Sequence, residues 1–208
     1  MPRSSLGAAL VALLLVPAGV AAAQRIATTG PIANLPAPVL LDTTGMFQAR
    51  FARIGDDVFI GGQPTEKALR EMKAQGVTVV VNLRTPEEMK NAVRFDEPAL
   101  IQQLGMRYVY IPMRGNEEFP YSPAAVARFA DAVGSANGKV LLHCTVAWRA
   151  SHLWAAYLIQ ERGVPVETAL ANARAINLMD TMRMGSASRQ PVEDFLNRSV
   201  PQVGHPPR

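Results

Sequence analysis

The chain contains a single cysteine, Cys144, preceded by His143 and followed five positions later by Arg149. A cysteine thiolate is a strong nucleophile, and an arginine guanidinium can hold two oxygens of an anion as a bidentate fork. These residue types together could attack a phosphoryl or related oxyanion group. The alternative is a packed core thiol, because cysteine is among the most frequently buried residues.

The segment around Cys144 has the pattern of a strand, a short loop and a helix. The stretch "KVLLHC" is an apolar strand, and residues 149–162 form a helix that ends at Gly163. Such a loop presents unpaired backbone N–H groups to one point, which binds oxyanions and favours the thiolate form of a nearby cysteine. His143 would hold the loop and add positive potential. The loop residues expected to contact the anion are Thr145, Val146, Ala147 and Trp148.

Strands alternate with helices along the rest of the chain, which indicates an α/β fold. We predict a mostly parallel central sheet of about four to five strands with helices on both faces. The loops that follow Val81, Ile111 and His143 should meet at the carboxyl edge of this sheet, where ligands bind in such folds. The predicted elements are a hairpin around 55–57, a helix from Thr65 to Gly76, a strand at 77–84, a helix over 86–104 interrupted near Pro98, a strand at 107–112, a helix capped by Ser122, and helices at 165–176 and 191–197.

The first residues have the layout of a secretory signal peptide. A basic start at Arg3 precedes an apolar run and small residues, with cleavage expected near Ala23. A transmembrane anchor is the alternative, but Pro17 and Gly19 interrupt the short run. We therefore predict export to the periplasm or the medium, with no stable membrane insertion after cleavage. The predicted organisation is a signal peptide at 1–23, a flexible linker at 24–46, one domain at 47–200 and a disordered tail at 201–208.

The composition excludes several classes of protein. With 49% apolar and 18% charged residues among 208, the chain is long and apolar enough for one sizeable core. The formal net charge of +4 is modest and its basic residues are scattered, so we predict no nucleic-acid partner. The three histidines lack the spacing of a metal site, and we predict neither a metal nor another cofactor.

The motif "HC....R" resembles the signature of cysteine-dependent protein tyrosine and dual-specificity phosphatases. That signature usually has five residues between cysteine and arginine, whereas this chain has four. The short form resembles a bacterial branch, the phosphatase-like domain related to beta-lactamase hydrolase-like proteins. Further stretches similar to that branch are "IGGQPTEKALREMKAQGVTVVVNLR", "YVYIPM" and "VETALANARAINL", so that the resemblance covers roughly residues 50–180.

The resemblance implies the cysteine phosphatase fold and a phosphoenzyme mechanism on a phosphorylated protein or small molecule. Cys144 would be the nucleophile, and Arg149 with the backbone amides of 145–149 would stabilise the transferring group. The family's general acid lies on a loop after an earlier strand, here "RGNEEFP". Glu117 is our first candidate and Glu118 the second, although the family normally uses aspartate and either glutamate could simply be a solvated loop residue.

Several positions depart from the family pattern. Ala147 stands where glycine is usual, Trp148 where a small or polar residue is common, and Ala150 where a hydroxyl residue often follows the arginine; Ser151 lies one position on. Trp148 could stack on an aromatic phosphoester or pack over the loop. These departures support a second hypothesis, a weak or inactive relative that binds a phosphorylated or sulfated ligand. A rhodanese-type sulfurtransferase is a third.

Arg84 directly follows the apolar run "VVVNL". At that position it could line the rim of the anion pocket and attract substrate. The alternative is a surface charge at the start of a helix, paired with Glu87 or Glu88.

Overall fold

The computed structural model describes residues 35–177 and 189–200. Its six strands are β1 Pro38–Leu40, β2 Phe51–Ile54, β3 Val58–Gly61, β4 Val77–Asn82, β5 Arg107–Tyr110 and β6 Lys139–His143. They form one mixed sheet in the order β1-β2-β3-β6-β4-β5. The strands β3, β6, β4 and β5 run parallel to one another, and β2 and β1 are added antiparallel at the β3 edge.

Seven helices connect or cover these strands within the described residues. Thr65 caps the helix Glu66–Ala74 and Ser122 caps the helix Pro123–Gly134 with their side-chain hydroxyls, as their positions before an amphipathic run predict. The interruption predicted near Pro98 lies at residues 93–96, and Pro98 is in the first turn of the next helix, where no N–H is needed. The helices are α1 Glu66–Ala74, α2 Pro86–Ala92, α3 Glu97–Gln103, α4 Pro123–Gly134, α5 Trp148–Gln160, α6 Val166–Ile176 and α7 Gln190–Leu196.

The sheet separates two apolar cores. The larger core lies under α4, α5, α6 and α7 and includes Leu142 and Cys144, whereas the smaller one lies under α1 and α3 and includes Leu141. Successive side chains of β6 therefore enter opposite cores, as the period of two in a strand requires. Residues 149–159 of α5 are all buried, so this helix is packed against its neighbours on all sides.

The predicted fold class, a mostly parallel α/β sheet covered on both faces, is confirmed. The sheet has six strands rather than four to five, because β1 forms within the residues expected to be a flexible linker. This strand has only three residues, and Val39 and Leu40 are exposed, so no apolar alternation marks it in the sequence. The predicted signal peptide and tail lie outside the described residues. Among the described helices, none has the length and apolarity needed to cross a bilayer.

Candidate active site

Cys144 directly follows β6 at the carboxyl edge of the sheet, and its side chain is only 1% exposed. The loop of residues 144–147 then turns into α5. Residues outside the loop donate hydrogen bonds to three of its carbonyl groups. The backbone N–H of Gln63 donates to the Thr145 carbonyl at 3.0 Å, the Asn177 side chain donates to the Val146 carbonyl, and Ser151 Oγ donates to the Ala147 carbonyl at 2.8 Å.

Most backbone N–H groups of the same loop, in contrast to its carbonyls, have no hydrogen-bond partner among the described residues. Within residues 35–177 and 189–200, no acceptor is bonded to the N–H groups of Thr145, Val146, Trp148 and Arg149. The N-terminus of the 13-residue helix α5 also has no side-chain cap. Unpaired amides together with the positive end of a helix dipole form an anion-binding site.

Ala147 has the left-handed backbone conformation, with φ 68° and ψ −2°. A Cβ disfavours this conformation by about 1–2 kcal/mol, which is why glycine is common at such positions. The strain is located at one of the positions where this loop departs from the phosphatase signature that it resembles. The hydrogen bonds to the loop carbonyls described above hold the backbone on both sides of Ala147.

Arg149 lies in the first turn of α5 and reaches back across the carboxyl edge of the sheet. Its Nη1 donates to the carbonyls of Met113 at 2.7 Å and Leu83 at 3.4 Å, and its Nη2 donates to Thr145 Oγ1 at 3.0 Å. These partners follow β5, β4 and β6, respectively. The predicted convergence of the three loops is therefore seen in the contacts of one side chain.

Glu88 of α2 occupies the terminal fork of this guanidinium. Its Oε2 accepts from Arg149 Nη1 at 2.8 Å, and its Oε1 accepts from Nη2 at 2.7 Å. Thr145 Oγ1 also donates to Oε1 at 3.2 Å, and the Thr85 amide donates to Oε2 at 2.8 Å. Burial opposes ionisation, but the Arg149 and Thr85 hydrogen bonds outweigh it and lower the pKa of Glu88 to about 2.

Arg84 is buried, with 3% of its surface exposed. The interpretation of this residue as a surface charge paired with Glu87 or Glu88 is therefore wrong. Its Nη1 donates to Gln63 Oε1 at 2.7 Å, and its Nη2 donates to the backbone carbonyl of Glu88 at 3.1 Å. Burial lowers the pKa of Arg84, which Glu88 partly opposes. Arg84 is thus a second buried arginine, with electrostatic interactions to Arg149 and Cys144, and not an exposed residue at the rim of the site.

His143 is fully buried on the opposite face of β6 from Cys144. Its Nε2 lies 3.2 Å from Oε1 of Glu97, which is also fully buried. Glu97 accepts further hydrogen bonds from the side chains of Gln63 and Asn82. Burial opposes ionisation of Glu97, but His143 and the two amide donors outweigh it and lower its pKa. Glu97 was not predicted as a site residue, since its position suggests only an acidic residue in the first turn of a helix.

The two candidate acids lie on the exposed loop between β5 and α4. Asn116 Oδ1 accepts from the Phe119 amide at 2.9 Å, so residues 116–119 form a turn. Both glutamates are exposed. Glu118 lines a cleft of about 370 Å³ together with Thr85 and Arg114, whereas Glu117 is not among the residues lining it. The choice of Glu117 as the acid stays a prediction.

Three further side chains near the loop have defined partners. Trp148 is half-buried and its ring lies 4.1 Å from the ring of His152, so it packs at the start of α5. The hydroxyl of Ser151 donates its hydrogen bond to the Ala147 carbonyl. Tyr121, which sequence reasoning missed, packs against Phe195 with the ring centroids 4.8 Å apart and the planes tilted by 34°, and it interacts electrostatically with Arg149 and Cys144. Burial raises the pKa of Tyr121 to about 12, so its phenol is neutral at physiological pH.

The described residues contain no group of three or more His, Cys, Asp and Glu side chains arranged to hold a metal ion. The groups found at this edge of the sheet are a buried thiol, unpaired loop amides and two buried arginines, one of them paired with Glu88.

Comparison with known proteins places this arrangement in a family. Residues 42–190 match the family described as DSP-PTPase phosphatase fused to NAD+ kinase. Among curated proteins, the chain is similar to the beta-lactamase hydrolase-like protein of Xylella fastidiosa strain 9a5c, with 29% identity over 107 residues. That match covers 51% of this chain and 24% of the relative, so the chain corresponds to about a quarter of the relative's length.

Solved structures show the same fold. A DUF442 phosphatase-group protein of Shewanella putrefaciens has a TM-score of 0.55 and 23% identity, over 76% of this chain and 95% of the other. TpbA of P. aeruginosa, in a cysteine-to-serine variant bound to pTyr, has a TM-score of 0.54 and 18% identity, over 77% and 96%. The family match over most of the described residues confirms the predicted relationship, and the solved structures confirm the fold. The chain belongs to the family of DSP-PTPase phosphatases, of the tyrosine and dual-specificity type.

Proposed function

We propose that this protein is an exported, cysteine-dependent phosphatase that hydrolyses phosphomonoesters of the phosphotyrosine or small aryl phosphate type. The observation that carries the proposal is the loop of residues 144–149, where unpaired amides and Arg149 surround the thiol at a helix N-terminus. Such a loop binds three phosphoryl oxygens without a metal, and TpbA, a structural neighbour, is recorded with pTyr.

The proposed reaction has two steps. The Cys144 thiolate attacks phosphorus, the bond from phosphorus to the leaving oxygen breaks, and that oxygen takes a proton from an acid on the loop after β5, Glu117 or Glu118. Water then attacks the cysteinyl phosphate, the S–P bond breaks, and the carboxylate accepts the water's proton. Inorganic phosphate leaves and the thiolate is restored. Arg149, its position fixed by the Met113 carbonyl, and the loop amides would stabilise the equatorial oxygens in both steps.

A second candidate is a relative that binds a phosphorylated or sulfated ligand with little turnover. The specific observation in its favour is the Glu88 carboxylate, which already occupies the terminal fork of Arg149. Membership of a phosphatase family favours phosphoryl transfer over the sulfurtransferase alternative.

The test is hydrolysis of p-nitrophenyl phosphate by the purified protein, with Cys144→Ser as the matched variant. We expect vanadate-sensitive turnover that the variant lacks, and a trapped phosphocysteine by mass spectrometry after acid quench. Phosphate binding without turnover would favour the ligand-binding candidate. Cyanide-dependent transfer of sulfur from thiosulfate would favour the sulfurtransferase.

Export is tested separately, by fractionating cells that produce the full chain. The proposed leader at residues 1–23 predicts a processed protein outside the cytoplasm. An unprocessed chain in the cytoplasmic fraction would contradict export without affecting the proposed chemistry.

A further inference from the structure

Tyr121 lies at the end of the loop that follows β5, directly before Ser122, the N-cap of α4. Its ring packs against Phe195 of α7 with the ring centroids 4.8 Å apart. The ring also lies so close to Gly115 that a Cβ at that position would be 2.6 Å from a ring carbon. The ring is therefore held by two segments of the chain, and this fixes the direction in which its hydroxyl points.

Two observations place this tyrosine beside the proposed anion site. Gly115, which the ring contacts, is two residues beyond Met113, and the Met113 carbonyl accepts from Arg149 Nη1 at 2.7 Å. Tyr121 and Arg149 interact electrostatically with each other, and Tyr121 also interacts with Cys144. The base of the β5–α4 loop therefore brings a phenol next to the nucleophile and its arginine.

The Tyr121 hydroxyl has no hydrogen-bond partner within residues 35–177 and 189–200. The side chain is half-buried, so its surface is still partly open to a ligand. Because burial raises the pKa of Tyr121 to about 12, the hydroxyl keeps its proton at physiological pH. Packed tyrosines normally find a partner for this group, so an unpaired hydroxyl beside an anion site indicates a partner that binds there.

Arg149 has little donor capacity left for an anion. Its two terminal nitrogens already donate to the Glu88 carboxylate, to Thr145 Oγ1 and to two backbone carbonyls. An anion that enters the loop without displacing Glu88 therefore depends on other donors. The unpaired loop amides and the Tyr121 hydroxyl can supply them.

We propose that Tyr121 is a catalytic residue whose hydroxyl donates a hydrogen bond to an oxygen of the phosphoryl group held by residues 144–149. The inference deepens the proposed function and rests on it, because it concerns the same anion site. Tyr121 does not replace Glu117 or Glu118 as the general acid. Its pKa lies above that of a phenol leaving group, so it would hold its proton rather than transfer it.

Tyr121→Phe tests the inference, because it removes the hydroxyl and keeps the ring that packs against Phe195. We expect the affinity for inorganic phosphate, measured by titration calorimetry, to fall about tenfold, which is within the contribution of a hydrogen bond to a charged group. The matched control is Tyr157→Phe, which removes a hydroxyl that accepts from Arg162 near the end of α5 and should leave phosphate affinity unchanged. Unchanged affinity in Tyr121→Phe would overturn the inference, as would equal losses in the two variants.

The hydroxyl can also be observed in the full chain labelled with 3-fluorotyrosine, since the protein has only four tyrosines. Phosphate should shift the fluorine resonance that is absent from labelled Tyr121→Phe, whereas sodium chloride at the same ionic strength should not. A Tyr121 resonance that phosphate does not shift, or that both salts shift equally, would overturn the inference.

Neither measurement requires turnover, so the inference and the proposed function can fail separately. Phosphate binding that depends on the Tyr121 hydroxyl, without hydrolysis of p-nitrophenyl phosphate, would contradict the proposed hydrolysis and support the role of Tyr121 as a donor. Hydrolysis by a protein whose phosphate affinity is the same in Tyr121→Phe would support the proposed function and overturn the inference.

Discussion

Glu88 and Arg149 form a bidentate ion pair, with both carboxylate oxygens on the two terminal nitrogens of the guanidinium at 2.7 and 2.8 Å. The remaining Nη hydrogens have the Met113 carbonyl and Thr145 Oγ1 as partners. A substrate phosphate would therefore meet an arginine whose orientation is fixed and whose charge is already offset. This relationship decides how strongly the site can hold an anion.

Glu88→Gln should bind vanadate and inorganic phosphate more tightly than the unaltered protein. The amide oxygen can still accept one hydrogen bond from Arg149, but the negative charge beside the incoming anion is gone. We expect about a fivefold gain in affinity, or about 1 kcal/mol, by titration calorimetry. Glu87→Gln is the control, because Glu87 is exposed and has no contact with Arg149. Equal gains in the two variants would contradict a specific role of Glu88.

The same ion pair predicts a pH dependence of stability. Because the folded pKa of Glu88 is about 2 and its ordinary value is 4.5, its contribution is fully present above about pH 4.5 and is lost as pH falls toward 2. The difference in urea midpoint between the unaltered protein and Glu88→Gln should therefore shrink between pH 5 and pH 2.5. A difference that stays constant over this range would mean that the carboxylate contributes no stabilisation through its charge.

Ala147→Gly should stabilise the protein, because glycine adopts the left-handed conformation at φ 68° without a Cβ penalty. The relief of about 1–2 kcal/mol exceeds the 0.4–1 kcal/mol that glycine costs by loosening the unfolded chain. We expect the melting temperature to rise by roughly 2–4 °C for each kcal/mol gained. Ala150→Gly, three residues on in the helix, should lower it instead. A lower melting temperature for Ala147→Gly would show that the loop does not carry this strain.

The general acid can be assigned by the leaving group. An acid is most needed when the leaving oxygen is basic, so its glutamine variant should lose about 10²–10⁴-fold on phenyl phosphate and much less on p-nitrophenyl phosphate. Glu117→Gln and Glu118→Gln serve as controls for each other, since both are exposed neighbours on one loop. The acid's variant should also lose the alkaline decline of the pH–rate profile. Equal small effects on both substrates for both variants would place the acid elsewhere.

Much of the site could be predicted because its determinants are local in sequence. A strand, a cysteine, four residues and an arginine in the first turn of a helix indicate an anion-binding loop, and the loops that follow parallel strands meet at one edge of the sheet. Even the strained conformation of Ala147 could be anticipated from the glycine that is usual at this position in the phosphatase signature that the loop resembles. In each case the interacting groups either lie in one segment of the chain or are brought together by the parallel arrangement of the strands.

Glu88 and Glu97 could not be predicted, although Glu88 pairs with Arg149 and Glu97 lies against His143. Each has an ordinary local role that accounts for its residue type: Glu88 completes a capping box with Thr85, and Glu97 is an acidic residue in a first helical turn. Their functional partners lie 61 and 46 residues away in the chain. No periodicity or spacing connects positions that only the three-dimensional fold brings together.

The hydrogen bond from Arg149 to the Met113 carbonyl has a consequence for how mutants of this site are interpreted. Met113 lies at the start of the loop that carries both candidate acids. Leu83, the other residue whose carbonyl accepts from Arg149, directly precedes Arg84. The guanidinium therefore connects the loops that follow β4 and β5, in addition to its proposed role in binding an anion. An Arg149→Lys variant would loosen the acid's anchorage while it weakens phosphate binding, so its loss of activity would measure two effects together.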